Sequence, residues 1–231
     1  MGGQVPVIAI DGPSGSGKGT VARAVARALG WHRLDSGALY RSVGVAAAHN
    51  GIGLDDPDGL QRMTAALDLV FSSADDRETV RLAGRDISDE IRGEEASRSA
   101  SRVAALPGVR QALLERQRAF AVPPGLVADG RDMGTVVFPD AVLKVFLTAS
   151  PEERARRRHK QLKEKGIDVS LRDLSTGIAE RDERDATRSV APLKPALDAS
   201  LLDSTTLSVD QVVRQVLDWL EARGVAVLSK E

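Results

Sequence analysis

An α/β fold, a parallel sheet with helices on both faces, is what three features of the 231-residue sequence predict. Apolar runs recur without alternation, as in strands buried on both faces. Amphipathic helical patterns follow the first and the last of them. A glycine-rich loop joins the first run to its helix.

"VPVIAI" (residues 5–10) reads as a buried strand, cut short by Asp11. Past the loop, "KGTVARAVARALG" spaces Val21, Val25 and Leu29 four apart and stops at Gly30, an amphipathic helix. "GLVADG" (125–130) and "AVLKVFL" (141–147) read as further buried strands, and "SLLDS" (200–204) as a short one. The helix "SVDQVVRQVLDWLEARG" (208–224) follows, with Ser208 as its N-cap. Two stretches break the alternation. Residues 67–92, with short alternating segments around "SSADD" and "LAG", predict a small antiparallel insertion. Residues 150–192 predict two polar helices around "KGID", either a solvated arm or a mobile lid. "EEASRSAS" (94–101) fits helix and loop equally.

The composition, 42% hydrophobic and 28% charged with a net charge of -1, is that of a soluble globular protein. It points away from nucleic-acid and membrane-surface partners. Aromatics, at 3%, are too few for a base-stacking platform. With no cysteine, disulfides, thiolate ligands and a cysteine nucleophile are excluded, and a reducing compartment fits. There is no signal-peptide pattern and no apolar run of about 18 residues. The expected location is therefore the cytoplasm. Of the basic residues, 25 are Arg and 7 are Lys, from genome base composition or from a need for bidentate phosphate contacts.

The chemistry starts at "GPSGSGKGT": Gly12, Pro13, Ser14, Gly15, Ser16, Gly17, Lys18, Gly19 and Thr20. Between a strand and a helix, such glycines let successive backbone N–H groups turn inward on a phosphate. Lys18 would reach the β and γ phosphates as a mobile point charge. The competing explanation is a glycine turn that happens to contain a lysine. Position 19 is informative. Switch GTPases and motor ATPases place a hydroxyl there, directly on Mg²⁺, which glycine cannot supply. "GKGT" is similar to the loop of nucleoside-monophosphate kinases, where water holds much of the metal's coordination shell.

"LDSGALYR" (34–41), "ASRVAALPGVRQALLERQR" (100–118), "VADGRDMGTVVFPDA" (127–141) and "ERDERDATRSVAPL" (180–193) together resemble the bacterial-type cytidylate kinase family, over almost the full length. The resemblance implies a P-loop kinase fold: a five-stranded parallel sheet flanked by helices, with a small antiparallel β insertion and a helical lid. It implies a single kinase domain over 1–231. The core would take about 4–36, 100–150 and 193–228, the monophosphate-binding insertion about 37–99, and the lid about 151–192. It implies transfer of the γ-phosphoryl group of ATP to CMP or dCMP with Mg²⁺, by a monomer.

A phosphate monoester acceptor is mostly dianionic at pH 7, with a second pKa of about 6, so it needs no general base. This suits a sequence whose His32, His49 and His159 form no catalytic pattern. The barrier is the meeting of two polyanions in line, which assigns the work to cations. By the family motif, Lys18, Arg131, Arg181, Arg188 and the acceptor-side Arg41 surround the phosphates; the alternative is solvated helix charge. That alternative is poor for Arg131, just past a buried strand's carboxyl end. Asp132, Ser101 and Arg110 are the matched readers of the cytosine base, Asp132 accepting from its amino group and so disfavouring uracil. Ser36 would bind the monophosphate and Asp185 a sugar hydroxyl. Asp129 would hold Mg²⁺ through water, or like Asp35 serve a buried turn. In the cluster Arg154, Arg156, Arg157 and Arg158, one or two would meet ATP on lid closure and the rest be solvated. Interleaved Glu152, Glu153 and Glu164 weaken an RNA-binding reading. The rivals are adenylate or shikimate kinases, and a nucleotide-dependent switch or binding module without transfer.

Overall fold

In chain order, β1 (Val7–Asp11) leads through the glycine loop to α1 (Lys18–Leu29), β2 (His32–Asp35) and α2 (Ser36–His49). Next come α3 (Pro57–Ala65), β3 (Leu69–Ala74), β4 (Arg77–Leu82), β5 (Arg85–Asp86), α4 (Glu94–Val103) and α5 (Pro107–Arg118). The remainder is β6 (Leu126–Gly130), β7 (Leu143–Thr148), α6 (Pro151–Glu164), α7 (Leu171–Thr187), β8 (Ser200–Asp203) and α8 (Val209–Glu221). The structure is a computed structural model and describes residues 5–74, 77–164, 166 and 168–225. The chain divides into two compact units, one up to Asp35 and from Arg118 onward, the other Ser36–Gln117.

The first unit holds a five-stranded, wholly parallel sheet in the order β2-β6-β1-β7-β8. The chain first moves to one side of β1, through β2 and β6, and then to the other, through β7 and β8. The reversal therefore falls at β1, whose carboxyl end carries the glycine loop, the place where open α/β sheets bind ligands. The register sets Asp35 beside Asp129 and Ile10 beside Asp129 at that same end. The core is built from Ile8, Ile10, Val127, Val145 and Leu147 of the sheet, Val21, Val25 and Leu29 of α1, and Val212, Val216 and Leu220 of α8. Burying each such side chain stabilises the fold by roughly 1.5–3 kcal/mol before chain entropy is counted. Ser208 caps α8 in a capping box with Gln211.

The second unit packs α2 against α4 and carries the antiparallel sheet β3-β4-β5, in register from Leu69↔Leu82 to Ala74↔Arg77. The "SSADD" turn is described only as far as Ala74, since 75 and 76 lie outside the described residues, as do 165 and 167 of "KGID". "EEASRSAS" is helical, within α4. This unit extends to Gln117, whereas the sequence places residues 100–117 with the core. One strand, β2, carries no pattern of its own: "HRLD" has a single fully buried residue, Leu34, because it lies at the sheet edge. The first strand begins at Val7 and runs on through Asp11.

Candidate active site

The loop between β1 and α1 is pressed against the sheet. A Cβ added at Gly12 would lie 2.0 Å from the backbone oxygen of Leu147, so only glycine fits. Gly17, at φ +89°, is the left-handed residue that starts α1. Lys18 Nζ donates to Pro13 O at 3.0 Å, curling the ammonium over the loop. Ser16 Oγ is buried with no hydrogen-bond partner among the described residues. Burial, then the field of Arg131, pushes the Lys18 ammonium down to about 7; Arg181 adds to this, while Asp129 and Asp185 oppose it. Lys18 therefore sits in a desolvated place beside two further cations, with the carboxylates of Asp129 and Asp185 partly offsetting them.

Around Lys18 the first unit gathers most of the residues singled out by the sequence. Arg131 Nε donates to Asp185 Oδ2 at 2.8 Å, and Arg188 Nη2 stands 3.8 Å from Asp132 Oδ1. Asp132 and Asp185 are buried. Burial resists the charge of Asp185, but Arg131, Arg181 and Arg188 together hold its carboxyl below the usual range. Asp129 accepts from Arg33 Nε (3.2 Å) and Nη2 (3.0 Å), and Arg33 Nη2 also lies 3.8 Å from Asp35. Burial, then Asp35, raises Asp129, with Arg33 and Lys18 opposing.

Three groups escape a reading of the sequence. Arg33, the partner of Asp129, comes from the unpatterned strand β2. Asp11, which reads only as a strand terminator, accepts from the amides of Met133 and Gly134 at 2.8 Å each and so anchors the segment after Arg131 and Asp132. Burial raises it to about 6. Asp182 of α7 accepts from Ser14 N at 3.3 Å and pairs with Arg154. The last was visible only as one acid among several in "ERDERDATR". Of the α6 cluster, Arg154 is buried, Arg157 and Arg158 are half-buried, and Arg156 is exposed and held by Glu153. His32 Nε2 lies 3.0 Å from Pro123 O, and His49 Nε2 lies 2.7 Å from Glu90 Oε2.

The remaining candidates lie in the second unit. Ser36, at the start of α2, is buried and donates to Gln117 Oε1 at 2.9 Å. Arg41 is half-buried on the same helix, and Ser101 is buried on α4. Arg110 is buried on α5, donates to Ala104 O at 3.2 Å, and sits with its guanidinium carbon 5.8 Å from the ring centre of Tyr40. Tyr40, the aromatic member of "ALYR", is itself buried, so the guanidinium of Arg110 lies over a ring inside this unit.

Among the described residues no group of three or more His, Asp or Glu side chains is arranged to hold a metal ion. A divalent cation bound chiefly by phosphate oxygens and water asks for less, a single carboxylate beside the loop. Asp129 fits: a Cβ at Gly19 would lie 3.7 Å from its Oδ2.

The cytidylate kinase family model matches residues 8–222. The cytidylate kinase of Pseudomonas paraeruginosa is 58% identical over 226 residues, covering 97% of this chain and 99% of its own length. That of Photobacterium profundum is 56% identical over 221 residues, covering 96% of this chain and 97% of its own length. A solved uncharacterized protein from Eubacterium ventriosum ATCC 27560 superposes with a TM-score of 0.50 at 12% identity, covering 94% of this chain and 99% of that one, a likeness of fold alone. Phosphate loop, cation cluster and near full-length identity converge: this chain belongs to the cytidylate kinase family.

Proposed function

We propose that this chain transfers the γ-phosphoryl group of ATP to CMP or dCMP, giving ADP and CDP or dCDP. The observation that carries the reading is the glycine loop between β1 and α1, with Lys18 curled over it and Arg131 and Arg181 close enough to act on its charge. Such a site gains when an anion arrives, and gains most where charge spreads over a transferring phosphoryl group. A phosphate oxygen of the monophosphate attacks the γ phosphorus, the bond to the β–γ bridging oxygen breaks, and ADP leaves. No side chain need remove a proton.

Lys18 and the loop of residues 12–20 would bind the donor phosphates, and Arg131, Arg181 and Arg188 would face the group in flight. Ser36 and Arg41 would hold the acceptor phosphate, Asp185 a sugar hydroxyl, and Asp132, Ser101 and Arg110 the cytosine. Asp129 would hold Mg²⁺ through water; the ion supplies charge neutralisation between the phosphates. A cytoplasmic monomer is the accompanying reading, and among the described residues no helix is long and apolar enough to cross a membrane. Against a nucleotide switch stand family membership and Gly19.

The test is ADP release from MgATP with CMP, dCMP, UMP, AMP, shikimate or no acceptor, beside Lys18→Ala. Turnover is expected with CMP and dCMP, little with UMP, and none without acceptor or without Lys18. ATP consumption indifferent to acceptor would overturn the reading.

A further inference from the structure

Two arginines of α6, one helical turn apart, grip the glycine loop by its carbonyl groups. Arg154 is 7% exposed and donates from Nη1 to Ser14 O (3.1 Å) and from Nε to Ala149 O (3.1 Å). Arg157 donates from Nη1 to Ser16 O (3.1 Å) and Ser204 Oγ (3.0 Å), and from Nη2 to Ser204 O (2.6 Å). The Ser204 hydroxyl also reaches Ser16 O at 3.4 Å. A carboxylate fixes each guanidinium, Asp182 of α7 for Arg154 and Glu153 (2.8 Å) for Arg157. Contact is close enough that a Cβ at Gly15 would lie 3.0 Å from Arg154 Cβ, and one at Gly17 would lie 3.5 Å from Arg157 Nη1.

A trans peptide unit points its C=O and N–H in opposite directions. Holding Ser14 O and Ser16 O toward α6 therefore turns the Gly15 and Gly17 amides the other way. Both glycines adopt positive φ, +77° and +89°, the conformation in which alternate residues gather successive N–H groups into an anion-binding hollow. We propose that Arg154 and Arg157 are positioning residues of the phosphate loop. They act through the Ser14 and Ser16 carbonyls to aim the Gly15 and Gly17 amides at the donor's phosphates, and they do not touch the nucleotide. The proposal rests on the donor-site reading above. It separates these two arginines from Arg156, which among the described residues grips only Glu153 on its own helix and is exposed. It also gives Asp182 a task, since this residue fixes Arg154 from α7, the helix that bears Arg181 and Asp185.

The experiment compares ¹⁵N-labelled wild type with Arg154→Met, Arg157→Met, Arg154→Lys and a charge control, Arg214→Met, on the exposed face of α8. Amide resonances are recorded without nucleotide, and ADP and CMP affinities are measured by calorimetry. Arg154→Met is expected to move the Gly15 resonance most, and Arg157→Met that of Gly17. Each Met variant should weaken ADP about tenfold, the loss of roughly one good hydrogen bond's worth of orientation, with CMP affinity within about twofold. Arg154→Lys should recover part of the ADP affinity, and Arg214→Met should match wild type. If Arg154→Met does not fold, the half-buried Arg157 carries the comparison. Unmoved Gly15 and Gly17 resonances, or CMP and ADP affinities falling together, would overturn the proposal. Failure of wild type to bind ADP would instead sink the donor-site reading, and the resonances would still decide whether the arginines aim the amides.

Discussion

Lys18 should make the nucleotide-free protein less stable than it would be without it. Its pKa falls from the ordinary 10.5 to about 7 on folding. Between those values the unfolded chain binds more protons than the native one, so stability rises with pH across that window. At about 1.4 kcal/mol per unit, the penalty is about 4 kcal/mol at pH 7 and about 2 kcal/mol at pH 9. These are upper values, because Lys18 is half-buried and solvent screens part of the field. Lys18→Met removes the penalty and loses the bond to Pro13 O, worth about 1 kcal/mol. The variant should therefore be stabilised by up to about 3 kcal/mol at pH 7 and about 1 kcal/mol at pH 9. Urea unfolding followed by Trp31 and Trp219 fluorescence measures both. ADP at about 100 times Kd adds about 2.7 kcal/mol to wild type alone, so it should nearly close the gap at pH 7 and reverse the order at pH 9. A variant less stable than wild type at pH 7, or a gap that does not change with pH, would refute the reasoning.

Gly12→Ala sets a Cβ 2.0 Å from Leu147 O, against backbone that cannot yield; a loss of about 3 kcal/mol in chemical denaturation is expected. Asp185→Ala strips the buried carboxylate from Arg131, Arg181 and Arg188 and should cost about 3–5 kcal/mol. Because that carboxyl is held low, its contribution is complete above its ordinary 3.8 and is lost as pH falls through the folded value, so acid should narrow the gap to wild type. Asp11, raised from 3.8 to about 6, has the opposite sign. The native state binds the extra proton, so wild type should lose about 3 kcal/mol relative to Asp11→Asn as pH rises from below 3.8 to above 6, read from parallel denaturation series. Asp132→Asn should narrow the CMP-over-UMP ratio of kcat/KM at least tenfold, about 1.4 kcal/mol of discrimination, and an unchanged ratio would remove Asp132 from base reading.

β1, β6 and β7 were legible because a parallel sheet covered on both sides demands continuous apolar runs, and α1 and α8 because their buried faces repeat every four residues; β8, at the other edge, showed only as the short "SLLDS". What stayed illegible has physical causes. β2 lies at the sheet edge and needs only Leu34 inside. The Arg33–Asp129 pair joins residues 96 apart, and no local spacing encodes a partner across a sheet. The task of Asp11 depends on two amides 122 and 123 residues further on. In α6, four arginines look alike in sequence. Only the docking of that helix on the loop buries Arg154 and leaves Arg156 in solvent.

The use of arginine throughout the site has a physical reason. Arg33, Arg131, Arg154 and Arg157 each hold two acceptors at once, through nitrogens fixed in one plane. An ammonium could neutralise the same carboxylates but could not fix direction, and direction is what a loop of backbone amides lacks by itself. Lysine would serve where a mobile point charge is wanted, at position 18, and there burial is the largest influence on its charge. Carboxylates at 129, 132, 153, 182 and 185 do not weaken such a site. On the proposed function they would keep like charges from splaying apart before the phosphates arrive, so that the orientation required in the transition state would be set during folding rather than during the reaction.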